Sequence, residues 1–103
     1  MRSWENLLRD YLIYLKIERG LSENSIKSYS YDIQNLLSYI NKYNSRLSLK
    51  QCNQEFVQEF IYRISKNKNS RSQARLLSSL KSFFNYLVFE GYNKTSPMEL
   101  IES

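Results

Sequence analysis

The chain has few of the residues that make turns or hold metals. Among its 103 residues are two glycines, one proline, one cysteine and no histidine. A sheet protein of this size needs many turns rich in glycine and proline, so the scarcity predicts a few long helices. A single cysteine forms no internal disulfide, and without histidine we predict no metal site and no cofactor. The lack of histidine also removes the commonest general base.

A long apolar run and a secretory leader are also missing. No stretch approaches the roughly 18 consecutive apolar residues of a transmembrane helix, and Glu5 and Asp10 interrupt the apolar residues near the N-terminus. We therefore expect no membrane contact and a cytoplasmic protein. At this length, residues 1–103 are expected to form one domain.

Positive charge is concentrated in one part of the chain, although the formal total is only +5. Residues 63–81 carry six cations and no acid, so the other residues together have one net negative charge. The six cations are Arg63, Lys66, Lys68, Arg71, Arg75 and Lys81. Basic charge confined to one segment is typical of a protein that binds a polyanion.

The last long helix, predicted from Ser70 as its cap to Gly91 as its stop, contains most of this charge. Its core-facing stripe recurs at helical spacing: Gln73, Leu76, Leu77, Leu80, Phe83, Phe84 and Leu87. The opposite face has no acid and consists of Arg71, Ser72, Arg75, Ser78, Ser79, Ser82 and Asn85. Small hydroxyl side chains allow a large partner to approach closely, and the arginines indicate that this partner is negative.

A first helix is predicted from about Trp4 to Arg19, with Ser3 as its cap and Gly20 as its stop. Its apolar stripe is Trp4, Leu7, Leu8, Tyr11, Leu12 and Leu15. Ile13, Tyr14 and Ile17 lie off that stripe. Because one small core does not cover so much apolar surface, we expect part of this helix to meet another domain or another protein chain.

A second helix is predicted to open at Ser22 and to run to about Tyr43. Its buried stripe is Ile26, Tyr29, Ile33, Leu36, Leu37 and Ile40, and its opposite face is Asn24, Lys27, Ser28, Tyr31, Gln34, Asn35 and Ser38. That face also lacks an acid; amides can pair with base edges, and amine and hydroxyl groups reach phosphates. Asp32, at the edge of the stripe, is expected to pair with a nearby cation.

The third predicted helix follows Asn53 as its cap, with apolar residues Phe56, Val57, Phe60, Ile61 and Ile64 at helical spacing. Glu55 and Glu59 make its outer face acidic, so we expect this face to point away from a polyanion. Cys52 is interpreted as a half-buried residue before this helix. Pro97 is expected to begin one more helical turn near the end of the chain. No cluster of acids or activated nucleophiles predicts catalysis.

Several of these segments resemble the tyrosine recombinases, the Xer-type and phage-integrase-like enzymes. Residues 15–26, followed by Tyr29 and Asp32, are similar to the opening of their first domain, and residues 70–83 to its closing helix. Residues 90–91, 96–97 and 99–103 resemble the exit into an interdomain linker. The pattern positions matched are Ser25, Tyr29, Asp32, Arg75 and Lys81, whereas Tyr31 and Leu76 depart from it.

The resemblance implies an all-α, SAM-like core-binding domain of four main helices that forms one jaw of a clamp on double-stranded DNA. It implies that the second and fourth helices lie against the major groove and that the first meets other recombinase protomers. Catalysis would belong to a C-terminal domain outside these residues, so no catalytic residue is assigned.

The DNA-binding residues predicted on this basis fall into two groups. Those expected to hold phosphates are Lys27, Lys68, Arg71 and Arg75, and those expected near bases or sugars are Asn24, Ser28, Tyr31, Ser72 and Gln73. Arg75 is the strongest candidate. Two alternatives stay open: a helical protein-interaction module that docks through its first helix, and a small DNA-binding regulator that acts by itself.

Overall fold

Four α-helices make up most of the computed structural model, which describes residues 3–101. They are α1 (Trp4–Ile17), α2 (Glu23–Asn44), α3 (Gln54–Ser65) and α4 (Ser70–Phe89). The described residues contain no strand, and the predicted all-α bundle is confirmed. The last two residues of the linker resemblance, Glu102 and Ser103, lie outside the described range.

Polar side chains cap every helix at its start. Ser3, Ser22 and Asn53 accept hydrogen bonds from backbone amides three residues ahead, at 3.1, 3.2 and 3.0 Å, as predicted. The predicted cap of α4 was wrong by one residue: Asn69 Oδ1 accepts from the Ser72 amide at 2.8 Å, and Ser70 is already helical. The reason is that the helical hydrogen-bond ladder starts at the Asn69 carbonyl, which accepts from the Gln73 amide at 3.0 Å.

Both glycines adopt the left-handed conformation that ends a helix. Gly20 has φ 62° and Gly91 has φ 82°, while α1 and α4 end at Ile17 and Phe89, two residues before the predicted ends. The Tyr92 amide donates to the Leu87 carbonyl at 2.9 Å across the second of these stops. The glycines therefore stop the helices as expected, because only they occupy this conformation without strain.

The core lies mainly between α1, α2 and α4, and α3 adds Val57 and Phe60 to it. Its completely buried apolar side chains are Leu7, Tyr11, Leu15, Ile33, Leu36, Val57, Leu76, Leu80, Phe83, Phe84 and Leu87. Tyr11 of α1 packs edge-on against Phe83 of α4, with ring centroids 5.2 Å apart, and its hydroxyl donates to Ser82 Oγ at 2.7 Å. These contacts hold α4 beside α1, and Arg75 of α4 bonds to Asp32 of α2.

α3 packs against the C-terminal half of α2. The ring of Tyr39 lies 5.2 Å from both Phe56 and Phe60. Cys52, expected to be half-buried, is 1% exposed because the loop before α3 folds into the core. Gln73, placed in the buried stripe by its spacing, is only partly covered. Residues 97–100 form a turn rather than the expected helical turn, although Met98 is buried.

None of the helices described here has the length and apolar character required to cross a bilayer.

Candidate nucleic-acid interface

A buried carboxylate joins α2 to α4 at the centre of the candidate interface. Asp32 is 0% exposed, and its two oxygens accept from Nε and Nη2 of Arg75, each at 3.0 Å. Ser79, one turn after Arg75 on α4, donates from Oγ to Asp32 Oδ2 at 2.7 Å. The expectation that Asp32 pairs with a nearby cation is confirmed. A carboxylate out of water needs such partners, because burying it unpaired costs several kcal/mol.

The same contacts act on the arginine. The hydrogen bond to Asp32 raises the pKa of the Arg75 guanidinium above its ordinary value, while partial burial works in the opposite direction. Arg75 therefore stays charged. Its side chain is still 35% exposed, so the guanidinium is held from the inside and is reachable from solvent.

An exposed aromatic ring lies close to the arginine of this pair. Tyr31 is 53% exposed, and its ring centroid lies 5.9 Å from Arg75 Cζ and 5.7 Å from Lys68 Nζ. A cation near an aromatic face is attracted to it, by about 0.5–1 kcal/mol at an exposed site. Tyr31 of α2 thus lies close to both Lys68, in the loop before α4, and Arg75 of α4.

Other predicted cations surround this cluster without an acidic partner in residues 3–101. Arg71 is exposed on α4, one turn before Arg75, and Lys27 is exposed on α2, one turn before Tyr31. Residues four apart on a helix share a face. The predicted phosphate-binding residues of each helix therefore lie on the same face as the cluster of Tyr31, Lys68 and Arg75.

The remaining predicted residues are near this surface by register only. Asn24 is exposed at the start of α2, and Ser28, Ser72 and Gln73 are partly covered. No hydrogen bond between their side chains and the Tyr31 cluster is found within the described part of the chain. They stay predictions as DNA contacts.

The polar face of α4 is less open than its sequence indicates. Ser79 is 0% exposed, and its hydroxyl donates a hydrogen bond to Asp32. Ser82 Oγ accepts a hydrogen bond from the Tyr11 hydroxyl. These two serines join the helices of the bundle and do not offer a surface to a partner. Their role was missed because helical spacing assigns a residue to a face without identifying the neighbouring helix. The available signals were an acid within an apolar stripe and the four-residue spacing of Arg75 and Ser79.

The outer face of α3 is also less acidic than predicted. Glu59 pairs with Arg63 at 2.9 Å, with both side chains about half exposed. Arg63 in turn lies 5.6 Å from the ring of Tyr43, and Lys66 lies 5.0 Å from the ring of Tyr62. Of the six cations in residues 63–81, Arg63 and Arg75 are therefore paired with acids, although Arg75 stays partly exposed. The other four, Lys66, Lys68, Arg71 and Lys81, have no acidic partner among residues 3–101.

A separate open cleft of about 960 Å³ lies between the residues before α3 and the C-terminal segment. It is lined by Cys52, Tyr92 and Leu100, among others, and shares no residue with the Tyr31 cluster. Burial raises the pKa of the Cys52 thiol to about 12, so this cysteine stays protonated and unreactive at neutral pH.

Sequence comparison agrees with the helical architecture and with the pattern of these residues. The family model described as phage integrase, N-terminal SAM-like domain matches residues 8–91. The chain belongs to this family of tyrosine recombinase N-terminal domains, as its resemblance indicated.

Curated relatives match almost the whole chain. It is 34% identical over 99 residues to the tyrosine recombinase XerD of Listeria monocytogenes serotype 4b. The aligned region covers 95% of this chain and 33% of that protein. It is 33% identical to a tyrosine recombinase of Pseudothermotoga lettingae, over 96% of this chain and 35% of that protein. XerD of Oceanobacillus iheyensis is 29% identical over 96% of the chain and 34% of its own length.

The chain thus spans about a third of the length of the curated relatives it matches. Together with the family match, this means that its residues correspond to the N-terminal domain of such a recombinase and not to its catalytic domain. No solved structure matches the chain significantly.

Proposed function

We propose that this chain is the DNA-binding N-terminal domain of a cytoplasmic tyrosine site-specific recombinase or integrase. It would grip duplex DNA at a recombination site with α2 and α4, and a C-terminal catalytic domain would carry out the strand exchange. The observation that carries this proposal is the meeting of Tyr31, Lys68 and Arg75, which come from three different segments of the fold. Convergent cations beside an exposed aromatic ring suit a phosphate backbone better than they suit a protein surface.

The strength of binding follows from the charges that stay unpaired. Lys68, Arg71 and Lys27 are free of acids within residues 3–101, and Arg75 is partly exposed. With about four phosphate contacts, the logarithm of the association constant should fall against the logarithm of salt concentration with a slope of roughly −3 to −4. Titration of a fluorescent duplex at several salt concentrations measures this slope. A slope near zero would contradict the proposal.

Charge reversal tests which surface binds. The double variant Lys68→Glu/Arg71→Glu should lose duplex binding by about a hundredfold or more, because two phosphate contacts become repulsive. Lys50→Glu/Lys94→Glu is the matched control, since it changes the net charge equally at exposed positions around the separate cleft. Equal losses in the two variants would mean that net charge, and not this surface, determines binding.

A second candidate function, protein interaction through α1, is favoured by a different observation. Ile13 and Ile17 are 54% and 69% exposed, and Phe89 at the end of α4 is 76% exposed. The ring of Tyr14 lies 6.4 Å from that of Phe89, so these residues border one apolar surface. Its partners would be other recombinase protomers.

Sedimentation of the purified chain at increasing concentration tests this candidate. We expect weak self-association that Ile17→Ser/Phe89→Ser abolishes, because an exposed apolar surface of this kind drives association. Leu100→Ser is the control, since Leu100 is also 75% exposed but lines the separate cleft. If the double variant and the control behave alike, this surface is not the interface.

A further inference from the structure

The Asp32–Arg75 pair orients a side chain at the candidate interface, in addition to joining α2 to α4. Asp32 is completely buried, and the removal of a carboxylate from water offsets most of the attraction it gains from its partner. Apolar side chains at such positions often give equal or greater stability. The more specific consequence of the pair is that it holds the guanidinium of Arg75 in one orientation.

The hydrogen bonds to Asp32 determine which N–H groups of Arg75 stay available for a ligand. A guanidinium carries five N–H groups in a rigid plane. Asp32 accepts from Nε and Nη2, which form the side edge of that plane. Both N–H groups of Nη1 and the second N–H of Nη2 have no partner among residues 3–101. One from each nitrogen forms the end edge, a parallel pair of donors that matches two oxygens of a phosphate.

We infer that Asp32 and Ser79 are positioning residues for DNA binding: they fix Arg75 by its side edge so that its end edge binds a backbone phosphate. Ser79 donates to Asp32 Oδ2 at 2.7 Å, and the ring of Tyr31 lies 5.9 Å from Arg75 Cζ, where it attracts the guanidinium. This inference rests on the proposed function. Fixing the arginine before DNA arrives lowers the entropy lost on binding.

Removal of the Asp32 carboxylate distinguishes a positioning role from a purely electrostatic one. Asp32→Asn adds one positive charge close to the candidate interface and frees Arg75 from a competing anion, so binding to DNA should become tighter. If Asp32 positions Arg75, binding should become weaker in spite of the added charge. The sign of the change therefore separates the two explanations.

The experiment measures the dissociation constant of this chain for a short random-sequence duplex at fixed salt. Asp32→Asn should bind about tenfold more weakly, the loss of roughly one charge-assisted contact. In an Arg75→Ala background, Asp32→Asn should cause no further loss, because the residue acts through Arg75. Tyr11→Phe removes another bond to α4, that to Ser82, and serves as the control for stability without a change in affinity. Equal or tighter binding by folded Asp32→Asn would overturn the inference.

A second set of variants keeps the test valid if Asp32→Asn does not fold. Arg75→Lys retains the charge but has no second edge, so it should bind almost as weakly as Arg75→Ala. Arg71→Lys, at the unpaired arginine one turn away, should lose much less. Ser79→Ala should weaken binding in the same direction as Asp32→Asn, by a smaller factor. Wild-type affinity in Arg75→Lys would overturn the inference.

The outcomes also separate this inference from the proposed function. If the wild-type chain shows no salt-dependent binding to duplex DNA, the proposed function fails and the inference fails with it. If the wild-type chain binds with the expected slope while Asp32→Asn binds as tightly or more tightly, only the positioning role is wrong.

Discussion

The indole of Trp4 and the backbone carbonyl of Leu47 form a buried hydrogen bond of 2.9 Å between positions 43 residues apart. Both side chains are 7% exposed. The bond ties the first residue of α1 to the segment that leaves α2. It brings the start of α1 next to the end of α2, and α4 contacts both helices.

Trp4→Phe should destabilise the fold by about 2–4 kcal/mol, because it removes buried volume and leaves the Leu47 carbonyl without a donor. Chemical denaturation followed by far-ultraviolet circular dichroism measures the change, since Trp4 is the only tryptophan and tryptophan fluorescence is lost with it. Tyr62→Phe, at a side chain that is 63% exposed, is the control and should leave stability nearly unchanged. A loss below about 0.5 kcal/mol in Trp4→Phe would show that this bond does not hold the helices.

The start of α4 depends on Asn69 and not on Ser70. Asn69→Ala should lower the free energy of unfolding by about 1 kcal/mol, because the Ser72 amide loses its acceptor. Ser70→Ala should have little effect, since alanine is favourable within a helix. Thermal or urea denaturation of the two variants in parallel tests this order. A larger loss of stability in Ser70→Ala than in Asn69→Ala would show that Ser70 is the cap of α4.

Stability should fall as the solution becomes alkaline. Burial raises the pKa of Cys52 from 9.0 to about 12. Burial also raises the pKa of Tyr11 from 10.0 to about 12, although its hydrogen bond to Ser82 acts in the opposite direction. Above the ordinary values the unfolded chain ionises while the folded chain stays protonated. Unfolding then releases protons and becomes easier as pH rises, by up to about 1.4 kcal/mol per pH unit for each group.

The two groups are distinguishable by where the loss begins. Between pH 9.0 and 10.0 the decline should come mainly from Cys52, so Cys52→Ala should lose clearly less stability than the wild-type chain in that interval. Urea denaturation of both proteins at matched pH values measures the difference. Identical pH profiles would mean that the thiol ionises equally in the folded and unfolded chains.

The end of α4 depends on the backbone of Gly91. Its φ is 82°, and an added Cβ would meet no atom within 4 Å, so Gly91→Ala should cost only backbone strain, about 1–2 kcal/mol. Gly91→Asn should cost less, because asparagine tolerates the left-handed region better than alanine. Melting temperatures of the two variants test this ranking. Equal stability of Gly91→Ala and the wild-type chain would contradict it.

Much of the fold was readable from local features. The caps Ser3, Ser22 and Asn53 and the stops at Gly20 and Gly91 were all predicted, because each acts on amides or dihedral angles within a few residues. The apolar stripes of α1 and α4 were predicted for the same reason, since their spacing reflects the helical repeat alone. Family membership was also visible, because it depends on the order of such segments.

The candidate interface was only partly readable. The cations of residues 63–81 and the acid-free face of α2 were evident, and they led to Tyr31, Lys68 and Arg75. Their meeting depends on how α2 and α4 cross, and no spacing within one helix contains that information. The pairing of Glu59 with Arg63 likewise shows that a count of charges does not reveal which cations are already neutralised.

By itself, the sequence determined that this protein is a small helical bundle with one basic region, because helix formation, capping and charge are properties of neighbouring residues. The tertiary structure alone decided that Ser79 lies inside, that Asp32 accepts hydrogen bonds from Arg75 and that the ring of Tyr31 lies beside Arg75. Those contacts join positions more than 40 residues apart, and their energies exist only after two helices have packed together.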